Sequence, residues 1–523
     1  MSTELATLIG VLLVLLDLGI RIAALIIVPR DRKPTAAMAW LLAIFLIPFV
    51  GIVLFLLIGN VKLSKRRRAK QAEINRVLDE RASVLAPEPD AAWPAWFATT
   101  VEQNRRLGAL PAVAGESAEL IGDYAASIAA MTADIDTAER YAHVEFYIVA
   151  FDDVTRDFFA AMERAVARGV TVRLLLDHVA SRRVSVHEAT FAELDRIGVQ
   201  WHFLLPFQPF KGNYERPDLR NHRKLVVVDG RVAYTGSQNL ISRDYDSPKN
   251  QKRGLMWQEL VVRLTGPVVR SVDAVFRSDW YAETDELLDE AAVVGGSGSG
   301  AGADADADAG AVGTVGAGGG APVPVSTTAP ADGGAPAASA PLVCQVVPSG
   351  PAYDDENNLR LFLSLVASAQ ERVIITSPYF VPDEAMMYAI TSAKLRGLDV
   401  QLFVSELGDQ GSVWHAQRSY YGALLRAGVR IWLYPAPYIL HAKHLSIDDD
   451  VAVIGSSNMD IRSFNLNYEV SLMVRSASFV ADMREVEQGY RDAGRELTLE
   501  EWNREPLSRT FFDGVARLTS ALQ

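Results

Sequence analysis

Cysteine is almost absent from this chain: Cys344 is the single one in 523 residues. One thiol excludes any disulfide within the chain and fits a reducing compartment, with Cys344 expected as a packed small residue. Histidine is scarce as well, eight in all. None of the eight groups with Asp, Glu or Cys at metal-ligand spacing, so neither a metal nor another cofactor is expected. Positive charge is in deficit, with 51 Lys and Arg against 64 Asp and Glu and a net charge of −13. The deficit is uneven: residues 1–70 hold ten basic and three acidic residues, net +7, which leaves −20 for residues 71–523. So acidic a body argues against a nucleic-acid backbone as partner. Residues 291–341 contain no Lys, Arg or aromatic residue and consist mainly of Gly, Ala, Ser, Pro and Asp. They cannot bury enough surface to offset chain entropy and are expected to form a disordered linker.

Apolar sequence is plentiful, at 49%, and is concentrated at the amino terminus. Residues 5–28 and 35–59 are two nearly continuous apolar runs, each long enough to cross a bilayer of about 30 Å as a helix. No Lys or Arg precedes the first run and no small-residue cleavage site follows it, so it is expected to be retained. The pair is expected to form a two-helix transmembrane hairpin over residues 1–60. Asp17 and Arg21, at i,i+4 within the first run, are expected to pair with each other. Pro48 and Gly51 are candidate kinks in the second. The dense cluster Lys62, Lys65, Arg66, Arg67, Arg68 and Lys70 should stay in the cytoplasm and take the remaining chain with it. It can also attract anionic headgroups.

After a juxtamembrane helix and a Pro/Trp-rich connector (61–110), one pattern appears twice. His143–Phe151, Asp157–Arg168 and Val170–Asp177 read as strand, helix, strand. Arg372–Ser377, Asp383–Arg396 and Val400–Ser405 repeat the order. This spacing implies parallel βαβ crossovers and an α/β fold. The halves, 111–290 and 342–523, are close in size and therefore read as a duplicated domain.

The polar residues are duplicated too. His222-Arg-Lys224 is followed by Asp229, Gly236, Ser237 and Asn239; His441-Ala-Lys443 is followed by Asp448, Gly455, Ser456 and Asn458. Asp229-Gly230 is a strong hairpin signal, and side chains two apart on a strand share a face. Each hairpin therefore gathers an imidazole, an ammonium, a hydroxyl and an amide, while Asp229 and Asp448 fall at the turn, where a structural role is expected. Two such sets facing one another suit a phosphoryl group, whose charge spreads over its non-bridging oxygens. One histidine attacks phosphorus and the other protonates the leaving oxygen.

The doubled pattern resembles the phospholipase D superfamily, and within it the bacterial cardiolipin synthases. The finer likeness rests on Arg220–Lys224, Ser377–Asp383, Arg418–Tyr421, Asn458–Phe464 and the Ala39–Leu42 and Pro48–Gly51 stretches of the membrane segment. The resemblance implies two tandem phospholipase D-like α/β/α sandwich domains facing each other. It implies a catalytic set of His222, Lys224, Asp229, His441, Lys443 and Asp448. Ser237, Asn239, Ser456 and Asn458 are then substrate-binding, and Glu259 and Glu469 orient the histidines. It further implies a membrane-bound phosphatidyltransferase that acts on phosphatidylglycerol and other phospholipids of a bacterial membrane. A phospholipase D or a transferase using another head alcohol is the alternative; a nucleic-acid phosphodiesterase and a non-enzymatic scaffold are more remote. The 291–341 insertion and Asp449-Asp450, where the family has Asp-Gly, depart from the pattern. Tyr379, Phe380, Tyr420, Tyr421, Tyr434 and Tyr438 are candidates for a lipid entry, with core or rim packing the simpler role. His415 and His444 are expected to be structural. Oligomeric state is not legible.

Overall fold

In a computed structural model of the protein, residues 3–518 are described except 31, 33, 60–62, 64–65, 75, 77–92, 209–212, 217, 289–341 and 354–355. The expected 291–341 linker and Pro87 and Pro89 of the connector lie outside the described residues. The first apolar run forms helix α1 (Thr3–Ile27), long and apolar enough to cross a membrane. Arg21 Nε donates to Asp17 Oδ2 at 2.7 Å, so the two charges do pair.

The second run departs from expectation. It forms two short helices, α2 (Pro34–Leu46) and α3 (Pro48–Ile58), rather than one spanning helix. Pro48 disfavours helical geometry at the residue before it, and Ile47 accordingly takes φ −135° and ψ 73°. The chain then doubles back. Trp40 of α2 meets Phe55 of α3 edge-on, with ring centroids 5.5 Å apart. A Cβ on Gly51 would lie 2.7 Å from the Ala43 carbonyl oxygen, so only glycine lets the helices approach so closely.

The two repeated regions build sheets of the same order. In the first half the strands are β1 (Ser117–Ile121), β2 (Tyr141–Phe146), β3 (Thr171–Asp177), β4 (Gln200–Leu204), β5 (Lys224–Val228), β6 (Val232–Gly236), β7 (Met256–Gln258) and β8 (Val261–Thr265). The main sheet runs β1-β8-β6-β5-β2-β3-β4, parallel from β2 to β4 and antiparallel elsewhere. In the second half they are β9 (Val343–Ser349), β10 (Arg372–Thr376), β11 (Asp399–Ser405), β12 (Arg430–Tyr434), β13 (Tyr438–Leu440), β14 (His444–Ile447), β15 (Val451–Gly455) and β16 (Glu469–Arg475). Their order, β9-β16-β15-β14-β10-β11-β12, matches strand for strand. Two short strands extend this second sheet, Val113–Ala114 beside β9 and Arg495–Leu497 beside β12.

The central strands are buried on both faces, which explains their runs of Val, Ile and Leu rather than an alternating pattern. One core joins the halves. Val268, Val272 and Val275 of helix α4 (Val268–Thr284) and Phe479, Met483 and Tyr490 of helix α5 (Ala477–Ala493) pack into a single cluster with residues of both sheets.

Candidate active site

Each motif is a hairpin held at its far end by its aspartate. Asp229 sits at φ 52° with Gly230 at 67°, the left-handed pair that a two-residue turn requires. Its carboxylate accepts the backbone N–H groups of Glu139, Arg140 and Tyr141 at 2.8–2.9 Å. Asp448, at φ 47°, does the same for Gln370, Glu371 and Arg372. The second turn lacks a glycine, and there Asp448 alone takes positive φ. Both aspartates thus tie the hairpin to the loop before the neighbouring strand, at the end of the strand away from His and Lys.

At the near end the halves interlock. Strand β7 pairs in parallel with β13, Gln258 opposite Leu440, and His441 N–H donates to the Gln258 carbonyl at 2.7 Å. A parallel bridge joins Asn221 to Tyr468, and His222 N–H donates to the Tyr468 carbonyl at 2.8 Å. Each histidine is therefore laid against the residue that precedes the other half's glutamate.

The side chains follow that crossing. His222 Nδ1 lies 3.0 Å from Glu469 Oε2 and 3.1 Å from the Ser456 carbonyl. His441 Nδ1 lies 2.8 and 2.9 Å from the two oxygens of Glu259. A carboxylate on Nδ1 fixes the ring and leaves Nε2 for chemistry; neither Nε2 makes a hydrogen bond among the described residues. Glu259 and Glu469 are both fully enclosed, yet their histidine and lysine neighbours outweigh burial and hold both below the usual carboxylate range.

Burial depresses the pKa of each base. His441 falls to about 4, through desolvation opposed by Glu259 and reinforced by Lys443 and Lys224. His222 is lowered by desolvation against the pull of Glu469, with Lys224 and Lys443 adding to the fall. Desolvation also takes Lys224 to about 7 and Lys443 to about 8. Each lysine thus acts on the histidine of the other motif as well as its own, which makes one site of the two sets. Lys224 Nζ donates to the His222 carbonyl at 2.5 Å and Lys443 Nζ to the His441 carbonyl at 2.6 Å. An ammonium has three donors, so each keeps hydrogens for a ligand.

The remaining motif residues divide. Ser237 Oγ accepts from Leu260 N at 2.9 Å, and Ser456 Oγ accepts from Val470 N at 3.0 Å while donating to Glu469 Oε2 at 2.5 Å. Both hydroxyls are engaged within the protein, bracing the segments that carry Glu259 and Glu469. Asn239 is tied to Tyr245, its amide donating to the phenol oxygen at 2.8 Å. Asn458 is not: among the described residues its buried Oδ1 has no hydrogen-bond partner. Of the aromatic candidates, Phe380, Tyr420 and Tyr421 are buried in the core, whereas half-buried Tyr379 stands edge-on to His441 at 6.2 Å. His444 is enclosed beside Tyr490, and His415 pairs with Asp513 on the outer helices.

Several residues of the site have no signal in the motifs. Tyr147 packs edge-on to His222 at 4.9 Å with Lys224 Nζ 5.5 Å from its ring centroid. Tyr245 donates to Glu259 at 3.2 Å and packs near His441. Arg223, the variable residue of the first motif, is 1% exposed. Its guanidinium binds the Glu469 carbonyl at 3.0 Å, the Ser349 carbonyl and Asp279, and so struts the first histidine to both halves. Its counterpart Ala442 can do none of this. Among the described residues no group of three His, Cys, Asp or Glu side chains is placed to hold a metal ion.

Two duplicated α/β domains that exchange carboxylates across a shared pair of histidines and lysines define a two-domain phosphoryl-transfer fold of the phospholipase D type. The family model for the cardiolipin synthase, phospholipase D-like domain matches residues 131–280 and 362–488, and a phospholipase D-nuclease N-terminal model matches 19–60. The chain belongs to this cardiolipin synthase family of phospholipase D-like proteins. It is 30% identical to cardiolipin synthase A of Pectobacterium carotovorum over 92% of this chain and 91% of that one. It is 28% identical to the cardiolipin synthase of Geobacillus kaustophilus over 98% and 94% of the two chains. Among solved structures, the phosphatidylserine synthase of Haemophilus influenzae shares the fold, with a TM-score of 0.56 at 15% identity over 81% of this chain and 99% of that chain.

Proposed function

We propose that this protein is a cardiolipin synthase that moves a phosphatidyl group from one phosphatidylglycerol to another, releasing glycerol. The observation that carries the reading is the exchanged pair of His–Glu couples closing on Lys224 and Lys443. A phosphodiester entering there meets two ammoniums and two imidazoles whose Nε2 atoms are unengaged. Lys224, Lys443 and Asn458 hold the non-bridging oxygens, where charge builds in the transition state. His222, assigned as nucleophile by likeness to the family, attacks through the Nε2 lone pair. The phosphorus–oxygen bond to the glycerol head breaks, and that oxygen takes a proton from His441 Nε2. The anion between the lysines favours the protonated form that His441 needs for this step. In the second step His441 removes the proton of an incoming phosphatidylglycerol hydroxyl, whose oxygen displaces His222. Ser237, Ser456, Asn239, Glu259 and Glu469 act by positioning, and Asp229 and Asp448 by holding the hairpins.

In this reading residues 1–60 seat the protein in the cell membrane, 61–110 connect, 111–290 and 342–523 each supply half a site, and 291–341 tether them. The basic cluster before residue 71 argues for catalytic domains on the cytoplasmic face. Part of that cluster is also structural, since Arg67 binds Glu215 at 3.2 Å and Glu283 at 2.8 Å. The test is to incubate the purified, detergent-solubilised protein with phosphatidylglycerol and identify the products by mass spectrometry. Cardiolipin and glycerol are expected. Phosphatidic acid alone would replace this reading with a phospholipase D, and no turnover of any phospholipid would remove it.

A further inference from the structure

We propose that the second apolar run does not cross the bilayer but dips into one leaflet and returns, leaving α1 as the single span. The two catalytic domains then lie on the same side as the α1–α2 loop and opposite the amino-terminal end of α1. The proposal rests on the membrane seat argued above, but not on the catalytic reading.

Length is the first argument. At 1.5 Å per residue, helices of 13 and 11 residues reach roughly 20 and 17 Å, short of an apolar layer of about 30 Å. The contacts are the second. At the open end of the hairpin, Arg32 from the loop after α1 donates to the carbonyl of Gly59, just beyond α3, at 2.8 Å. The same guanidinium lies 4.7 Å from the ring centroid of Phe55 and donates to the Val28 carbonyl at 2.8 Å. The end of α1 and the end of α3 are therefore at one level. At the closed end, Arg21 Nη1 donates to the carbonyl of Phe45 at 3.0 Å. Arg21 lies six residues before Ile27, roughly 9 Å along α1, so the tip stops inside the leaflet that holds the end of α1.

This placement gives the Asp17–Arg21 pair a purpose. The last carbonyls of α2 lose their helical partners where Pro48 breaks the run, and no water is available inside a bilayer to replace them. Arg21, neutralised by Asp17, supplies a donor at the negative end of the α2 dipole. Charge distribution is an independent argument. Two full spans would put Arg30 and Arg32 on the face opposite Arg66, Arg67, Arg68 and Lys70. A returning hairpin puts them all on the body's side, as the positive-inside rule prefers.

The experiment uses the full chain with buried Cys344 replaced by Ser and one cysteine introduced at a time: Thr3→Cys, Arg30→Cys or Asp153→Cys, the last at a highly exposed body site. Each variant is labelled with a membrane-impermeant maleimide in right-side-out and in inverted vesicles. The proposal expects Arg30→Cys and Asp153→Cys to label from one face and Thr3→Cys from the other. Labelling of Arg30→Cys and Asp153→Cys from opposite faces would overturn it in favour of two spans. Labelling of all three from one face would also overturn it, since α1 would then not cross. Because labelling needs no turnover, failure here leaves the catalytic reading untouched.

Discussion

His222 and His441 sit in a site where burial lowers the pKa of both histidines and both lysines, and these shifts carry testable chemistry. Replacing either histidine by Ala should reduce phosphatidyl transfer by at least about 1,000-fold, as expected where nucleophile and acid act as a unit; near-normal cardiolipin formation by either variant would end the two-histidine mechanism. Glu469→Gln and Glu259→Gln test the exchange of carboxylates. Each removes the charge that steadies the imidazolium of the opposite half, so kcat should fall roughly 10- to 1,000-fold with KM little changed. A rise in KM alone would point to substrate binding instead. The lysines set a pH limit. Charged below about 7 for Lys224 and about 8 for Lys443, they lose their protons as the pH rises through that range. The free site then loses its cations, so kcat/KM should decline on the alkaline side between about pH 7 and 9. A profile flat to pH 10 would show that the ammoniums are not required.

At the scale of elements the instructive piece is the hairpin. Asp229 is buried and accepts three peptide N–H groups from the loop before β2. Asp229→Ala would leave those donors unsatisfied, at about 1–3 kcal/mol for a lost buried partner, so thermal unfolding should move several degrees lower. The fraction still folded should keep much of its transfer activity. Full stability with abolished activity would instead place Asp229 in the chemistry. One strand–helix–strand unit and the motif hairpin of each half were legible because buried parallel strands need unbroken apolar runs and the first hairpin turn carries Asp-Gly. The break at Ile47 was only half legible. Pro48 and Gly51 mark a kink, but whether a kink of that kind bends a helix or reverses it depends on what packs alongside, here Trp40 on Phe55 and Arg32 on Gly59.

For the whole molecule, the two halves are one folding unit in packing terms. Val346 and Leu472 of the second sheet, Val262 and Leu264 of the first, and helices α4 and α5 share a core. A protease cut within 291–341 should therefore leave both fragments eluting together and active. Separation of the fragments without denaturant would show that the tether, not the core, holds the site together.

His222, Lys224, His441 and Lys443 could be read from the chain because their grouping is local: residues two apart on a strand share a face, and the turn returns Ser and Asn beside them. Glu259 and Glu469 were named only through the family likeness. That local geometry, with the family likeness, set the class of chemistry, and the apolar amino terminus set the membrane. Tyr147 and Tyr245 could not be read, since each comes to the site from a segment with no repeated pattern. Neither could the Arg223–Asp279 strut, since Arg223 fills the variable place of its motif and its counterpart is Ala442. Nor could the exchange of carboxylates. Glu469 lies 247 residues from His222 and Glu259 lies 182 from His441. Which carboxylate serves which histidine depends on how two sheets pack through a shared core, and side-chain spacing along one chain does not encode that packing.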